Sequence, residues 1–258
     1  MPTFGLIGYP LSHSFSRGYF TDKFQKAGLE DSHRYLNFEI RHVEEVTKVL
    51  QEQQDLRGLN VTIPHKRTIG KLVDEIDPVA ARIGAINTIL IRDGKTRGYN
   101  TDYLAFRDDL LEKLAEDGRS TDLHDTRALI LGTGGASLAV REALSELGVH
   151  TRFVSRHEGE DRITYERVNR GVLNEHHLIV NTTPLGMDPH PDRAPQIPYG
   201  DLSPDHFCYD LIYNPPETRF MRESRRSGAG AANGLGMLHK QAEAAWEIWN
   251  DYNSDIPG

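Results

Sequence analysis

Short apolar runs alternate with segments of helical period along most of this chain. Phe4, Leu6 and Ile7 give the first strand signal, and similar runs lie at 35–40, 58–61 and 89–91. Between the first three of these, residues 19–27 and 43–53 have the spacing of amphipathic helices. Asp93-Gly94 sits between two strand-like pieces and predicts a tight hairpin. After Asp102, the positions of Leu104, Phe106, Leu110, Leu111 and Leu114 describe another helix. A polar, turn-rich stretch at 116–122 follows as an exposed connection. A second array then begins, with strands at 127–132, 151–155 and 177–181, a helix at about 136–147, and an end near Gly234. Residues 235–252 form a last helix whose pattern would suit either half of the chain. The alternation predicts an α/β protein with largely parallel sheets and a domain boundary close to residue 105.

Composition narrows the function classes. The chain has 258 residues and a formal net charge of -8, with basic residues scattered along it, so no basic face for nucleic acid is expected. No apolar stretch approaches the roughly 20 residues needed to span a bilayer, and residues 1–4 lead directly into a strand pattern with no basic leader. Cys208 is the only cysteine; it lies between Phe207 and Tyr209 and reads as a core residue. A single cysteine excludes an internal disulfide framework and fits a reducing compartment, so the expected location is cytoplasmic.

The chemistry concentrates where strands end. Asn60-Val61-Thr62-Ile63-Pro64-His65-Lys66 and Gly98-Tyr99-Asn100-Thr101-Asp102 each follow an apolar run and close on one charged side chain. A lysine and a carboxylate brought together there can relay a proton to or from a substrate oxygen. Asn60, Thr62, Asn87 and Asn100 around them are uncharged groups that read hydroxyls, which suits a small polyhydroxylated ligand. Ser14 and Ser16 precede the first helix and could equally cap it.

Leu129-Ile130-Leu131-Gly132-Thr133-Gly134-Gly135-Ala136 runs as strand, glycine turn and helix start. That order lets the backbone approach a pyrophosphate and directs first-turn N–H groups at it. The next strand ends in Ser155-Arg156, where an NAD site would place an acidic residue; an arginine pairs with a 2′-phosphate, so NADP is favoured. Glu158 and Glu160 follow and weaken the positive field. Asn181-Thr182-Thr183-Pro184-Leu185-Gly186 closes a further strand at the end of the sheet where ligands collect. His13, His65 and His176-His177 have no carboxylate or further histidine at ligand spacing, and no metal is expected.

Taken together the motifs resemble the shikimate dehydrogenase family from Phe4 to Gln241. Besides the segments already named, the matching pieces are Gly8-Tyr9-Pro10-Leu11-Ser12-His13-Ser14-Phe15-Ser16, Gly84-Ala85-Ile86-Asn87-Thr88, Tyr209-Asp210-Leu211-Ile212-Tyr213-Asn214-Pro215 and Asn233-Gly234-Leu235-Gly236-Met237-Leu238. The resemblance implies reversible NADPH-dependent reduction of 3-dehydroshikimate to shikimate. It implies Lys66 and Asp102 as the catalytic pair, with Ser14, Ser16, Asn60, Thr62, Asn87, Tyr213 and Gln241 around the substrate. The implied cofactor residues are Gly132, Thr133, Gly134, Gly135, Ala136, Ser155, Arg156, Asn181, Thr182, Leu211 and Gly234. The implied architecture is an N-terminal α/β substrate domain at 1–104, an NADP-binding Rossmann domain with a parallel sheet at 105–234, and a C-terminal helix at 235–258 returning to the first domain. The expected partner is a small-molecule substrate, and the expected state is monomer or homodimer. Arg17, Tyr19-Phe20, Ser155-Arg156-His157 and Tyr103-Leu104-Ala105-Phe106 depart from the family pattern. A quinate/shikimate dehydrogenase accepting NAD and a non-catalytic ligand sensor are the rival readings, and retention of both Lys66 and Asp102 argues against the sensor.

Overall fold

The computed structural model describes residues 1–12 and 14–251. His13 and the predicted end of the last helix, Tyr252 onward, lie outside the described residues. The chain folds as two compact units, one of Met1–Thr101 with the chain from Ala242 onward, the other of Asp102–Gln241.

The first unit contains β1 (Thr3–Gly8), α1 (Phe15–Lys26), β2 (Arg34–Glu39), α2 (Val46–Glu52), β3 (Leu56–Val61), β4 (Glu75–Ile76), α3 (Pro78–Ile83), β5 (Thr88–Arg92) and β6 (Lys95–Tyr99). Its sheet has the order β2-β1-β3-β5-β6-β4. The β1, β2 and β3 strands are parallel, whereas β5 runs antiparallel to both β3 and β6. This sheet is therefore mixed rather than wholly parallel, and the predicted Asp-Gly hairpin is the cause. Arg92 pairs with Lys95, and Asp93 and Gly94 have φ of 50° and 76°, the doubly left-handed turn that matches strand twist. Alternation along the strands divides the core. Phe4 and Leu6 of β1 face Phe20, Phe24, Tyr35, Leu90, Ala242, Ala245 and Trp249, while Ile7, Leu59, Val61 and Ile89 face Ile40 and Val46 on the other side.

The second unit contains α4 (Asp102–Glu116), β7 (Arg127–Leu131), α5 (Gly135–Glu146), β8 (His150–Ser155), β9 (Arg162–Thr164), α6 (Arg170–Glu175), β10 (Leu178–Asn181), β11 (Phe207–Asp210), α7 (Arg219–Arg226) and β12 (Gly230–Asn233). All five strand pairs are parallel, in the order β12-β11-β10-β7-β8-β9. Counted from β7 this is the doubly wound arrangement, whose order reverses between β7 and β10 and leaves a crevice at their carboxyl ends. Both faces of the sheet are covered. Ala128, Ile130, Val180 and Tyr209 pack on one side with Phe106, Leu110 and Val140, and Leu129, Val154, Ile179 and Cys208 pack on the other with Leu173 and Phe220. Burial pushes the Cys208 thiol up to about 12. The last helix, α8 (Leu235–Asn250), begins in the second unit and ends in the first.

Candidate functional site

In the first unit, the three loops that carry the proposed chemistry are joined through their backbones. Ile86 N–H donates to Lys66 O at 2.7 Å, Val61 N–H to Asn87 O at 2.7 Å, and Asn87 N–H to Tyr99 O at 3.0 Å. The Asn100 amide adds a bond to Ala85 O at 2.9 Å. Lys66 lies half-buried in a single helical turn, His65–Arg67, directly after the exposed Ile63-Pro64 bend. Asn87 is 2 % exposed, and its Oδ1 accepts the Thr101 N–H at 2.7 Å while its Nδ2 donates to Thr101 Oγ1 at 2.9 Å. This fixes the chain immediately before Asp102, which is buried as the first residue of α4, where the helix N-terminus favours a carboxylate.

The other first-unit candidates have distinct surroundings. Asn60, 5 % exposed, accepts from Tyr35 Oη at 2.7 Å, so its amide is held from within the sheet. Thr62 is partly buried and pins the loop by donating its N–H to Ile7 O at 2.9 Å. Helix α1 starts four residues earlier than its pattern predicts, placing Ser14 at the N-cap and Ser16 in the first turn. Ser14 makes no side-chain cap bond, and its buried Oγ has no hydrogen-bond partner among the described residues, so capping does not account for it. A buried hydroxyl of that kind needs a partner. Ser16 is partly buried. The departures at Tyr19 and Phe20 are structural: Phe20 is core, stacked on Tyr35 at 4.6 Å, and Tyr19 donates to Glu243. His65 is also structural, with Nε2 at 2.9 Å from Ile40 O.

In the second unit, β7 runs into Gly132, whose φ of 110° favours glycine and where a Cβ would lie 2.8 Å from Thr182 Oγ1. Thr182 is held by its N–H and hydroxyl to Leu131 O, at 2.9 and 2.7 Å. Thr133 precedes Gly134, the N-cap of α5, which brings no side-chain cap; the first turn from Gly135 and Ala136 keeps backbone donors for an anion. At the end of β8, Ser155 closes a turn by accepting the His157 N–H at 3.1 Å, leaving Arg156 exposed with no ion pair among the described residues. Of the two acids that follow, Glu158 is bound by Arg167 at 2.7 Å. Asn181 is fully buried and bonded at both ends of its amide: Nδ2 donates to Asp210 Oδ1 at 2.9 Å, and Oδ1 accepts from Thr183 N–H and Oγ1 at 3.0 and 2.7 Å. It shapes the loop rather than offering a free side chain. Leu211 donates its N–H to Asn181 O at 3.0 Å, and a Cβ on Gly234 would lie 2.6 Å from Leu211 O, so these two approach through backbone. Tyr213 is partly buried, which raises its phenol pKa, and Gln241 Nε2 donates to Leu238 O at 2.9 Å.

Among the described residues no group of three histidine, cysteine or acidic side chains could hold a metal ion, and no helix is long and apolar enough to cross a membrane. Pattern reading missed Tyr35, Thr88 and Thr101. The two threonines stand inside quoted motifs, while Tyr35 looks in sequence like an ordinary strand aromatic.

A doubly wound sheet with a glycine turn at its switch point, paired with a second α/β unit rich in buried amides and hydroxyls, defines a dinucleotide-binding protein with a separate small-ligand unit. Residues 6–89 match the shikimate dehydrogenase substrate binding domain. A shikimate dehydrogenase (NADP(+)) of Methanococcus maripaludis is 36% identical, over 98% of this chain and 93% of the relative. The crystal structure of shikimate dehydrogenase 1 from Peptoclostridium difficile superposes with a TM-score of 0.83 at 36% identity, covering 99% of this chain and 94% of that one. Shikimate 5-dehydrogenase from Thermus thermophilus, solved in complex with NADP(H) and shikimate, gives a TM-score of 0.81 at 31% identity, covering 97% and 94%. The chain belongs to the shikimate dehydrogenase family.

Proposed function

We propose that this protein catalyses the reversible, NADPH-dependent reduction of 3-dehydroshikimate to shikimate in the cytoplasm. The observation that carries this reading is the interlocked block of loops that holds Lys66, Asn87 and the approach to Asp102 within a chain matched over nearly its whole length by shikimate dehydrogenases.

The residues present fit the cofactor. The Gly132 turn leaves no room for a side chain, the first turn of α5 offers backbone N–H groups to a pyrophosphate, and Arg156, clear of ion pairs among the described residues, suits a 2′-phosphate. A nicotinamide held there would supply a hydride to the ketone carbon. As that bond forms, negative charge grows on the ketone oxygen, and Lys66 Nζ meets it by giving up a proton. Asp102 orients the lysine and an adjoining substrate hydroxyl. Ser14 and Ser16 donate to the substrate carboxylate, and Thr62 and Asn87 read the ring hydroxyls, with Asn60 set behind them by Tyr35.

The test follows the absorbance of reduced cofactor with 3-dehydroshikimate, using NADPH and NADH in parallel. Fast oxidation of NADPH with little from NADH is expected, and Arg156→Ala should narrow the gap. Equal rates in the unaltered protein would favour an NAD-accepting quinate/shikimate dehydrogenase. Absence of turnover with either cofactor would favour a sensor.

A further inference from the structure

Asp109 is a buried carboxyl that the proposed chemistry leaves unused. It stands on α4 two turns after Asp102, is 1 % exposed, and touches two other elements of the second unit. From β11, Tyr209 donates its hydroxyl to Oδ2. From the first turn of α8, Gly236 comes so close that a Cβ there would collide with Oδ1 and lie 2.7 Å from the carboxyl carbon. The first turn of a helix carries N–H groups that the helix itself cannot satisfy, and a carboxyl oxygen beside them is an acceptor.

Packing alone does not call for an acid here. Tyr209 is fully buried, meets the Phe106 ring edge-on at 5.1 Å, and lies with Leu110, Ala232 and Met237 in an apolar cluster. Apolar side chains at 109 and 209 would suit that cluster without desolvating a carboxyl. What the acid adds is a grip on two places at once. Tyr209 lies two residues before Leu211, and Gly236 lies two residues after Gly234. Leu211 and Gly234 already meet through backbone, and Gly234 N–H also donates to Ile212 O at 3.4 Å. They follow β11 and β12, on the side of the switch point opposite β8. A dinucleotide lies across that point with one nucleotide on each half of the sheet; the Gly132 turn and Arg156 suit the adenosine half, so Leu211 and Gly234 fall to the nicotinamide half.

We propose that Asp109 is a positioning residue for the nicotinamide half of the cofactor site, holding Leu211 and Gly234 together through Tyr209 and Gly236. The inference rests on the reading of the second unit as the NADPH site. Because Asp109 belongs to the helix that begins with Asp102, the same side chain sets the place where hydride leaves in register with the carboxylate that orients the proton donor.

The experiment titrates NADPH, by its fluorescence, and adenosine 2′,5′-bisphosphate, by calorimetry, into the unaltered protein, Asp109→Ala, Gly236→Ala and the double variant, and adds steady-state kinetics with 3-dehydroshikimate. Asp109→Ala should weaken NADPH about tenfold and lower kcat about tenfold, while the bisphosphate, which reaches only the Gly132 turn and Arg156, binds within about twofold of the unaltered protein. Gly236→Ala, whose methyl displaces the carboxyl, should do the same. The double variant should be no worse than Asp109→Ala, because removing the carboxyl removes the collision. Equal weakening of both ligands would make Asp109 a general support of the fold and overturn the proposal, as would unchanged NADPH affinity or multiplied effects in the double variant. Failure of the unaltered protein to bind NADPH would overturn the cofactor reading beneath it. Binding of NADPH without reduction of 3-dehydroshikimate would overturn the proposed reaction and leave the binding comparison to decide on Asp109. Should Asp109→Ala fail to fold, Gly236→Ala carries the same prediction, and unchanged NADPH binding in it would overturn the proposal.

Discussion

In the proposed mechanism Lys66 and the groups around it act at different moments of the reaction, which makes them separable by kinetics. Under that proposal the lysine meets an oxygen whose charge appears only as the new C–H bond forms, whereas the serines, threonine and asparagines meet groups the ligand already carries. Lys66→Ala is therefore expected to lower kcat by about a hundredfold to ten-thousandfold with KM for the ketone little changed, and a change confined to KM would remove it from the proton-transfer role. Asp210 is an ionisable group with a purely structural task. It accepts from Asn181 at 2.9 Å, Ile212 N–H at 3.1 Å and Thr218 Oγ1 at 2.6 Å, yet burial outweighs these donors and pushes its carboxyl up to about 6. The folded state thus holds that proton more tightly than the unfolded chain does. Its stabilising contribution is complete below about pH 4 and is lost as pH rises through about 6, with an upper bound of about 3 kcal/mol. Urea titrations at pH 4 to 7 should show a decline in the unaltered protein that Asp210→Asn lacks; parallel pH profiles would contradict this.

Helix α8 shows how one element is tied down by a contact that demands a particular residue opposite it. Trp249 Nε1 donates to Ile89 O at 3.0 Å, and its indole lies so close over β3 that a Cβ on Gly58 would come within 2.2 Å of Nε1. Gly58→Ala should cost about 1–3 kcal/mol by overpacking, read as a lower urea midpoint at an unchanged slope. A neutral result would mean that the helix end gives way freely. The elements that pattern reading found are those with strong local signals: the first strands, the Asp93-Gly94 hairpin and the glycine turn before α5. The start of α1 was hidden because serines and Gly18 dilute its first turns, and the two-residue β4 is too short to carry a period. The same limit applied at the site. Lys66, Asn87 and Asp102 stand in motifs that announce loops at strand ends, but the bond from Tyr35 to Asn60 joins strands far apart in sequence, and no spacing reveals it.

At the scale of the whole chain, the pattern of elements and the family resemblance together set the expected divisions near 105 and 235, while packing places them at Thr101/Asp102 and Gln241/Ala242. The difference arises because helices carry their contacts past the points where polarity changes. The second unit is a continuous stretch with a core on both sheet faces, whereas the first needs Ala242, Ala245 and Trp249 to cover Phe4, Phe20 and Tyr35. Expressed separately, residues 102–241 are expected to give a cooperative unfolding transition, and residues 1–101 are expected to lack one because an aromatic face is left open to water. Circular dichroism in increasing urea distinguishes the two, and a stable 1–101 fragment would show that the last helix is dispensable to that core.

The lone thiol of Cys208, sealed inside β11 with its ionisation suppressed, gives the molecule an internal clock. A thiol reagent reaches it only when the second unit opens, so the rate of alkylation in native buffer counts those openings directly, and a ligand that holds the glycine turn closed must slow that count in proportion to its occupancy.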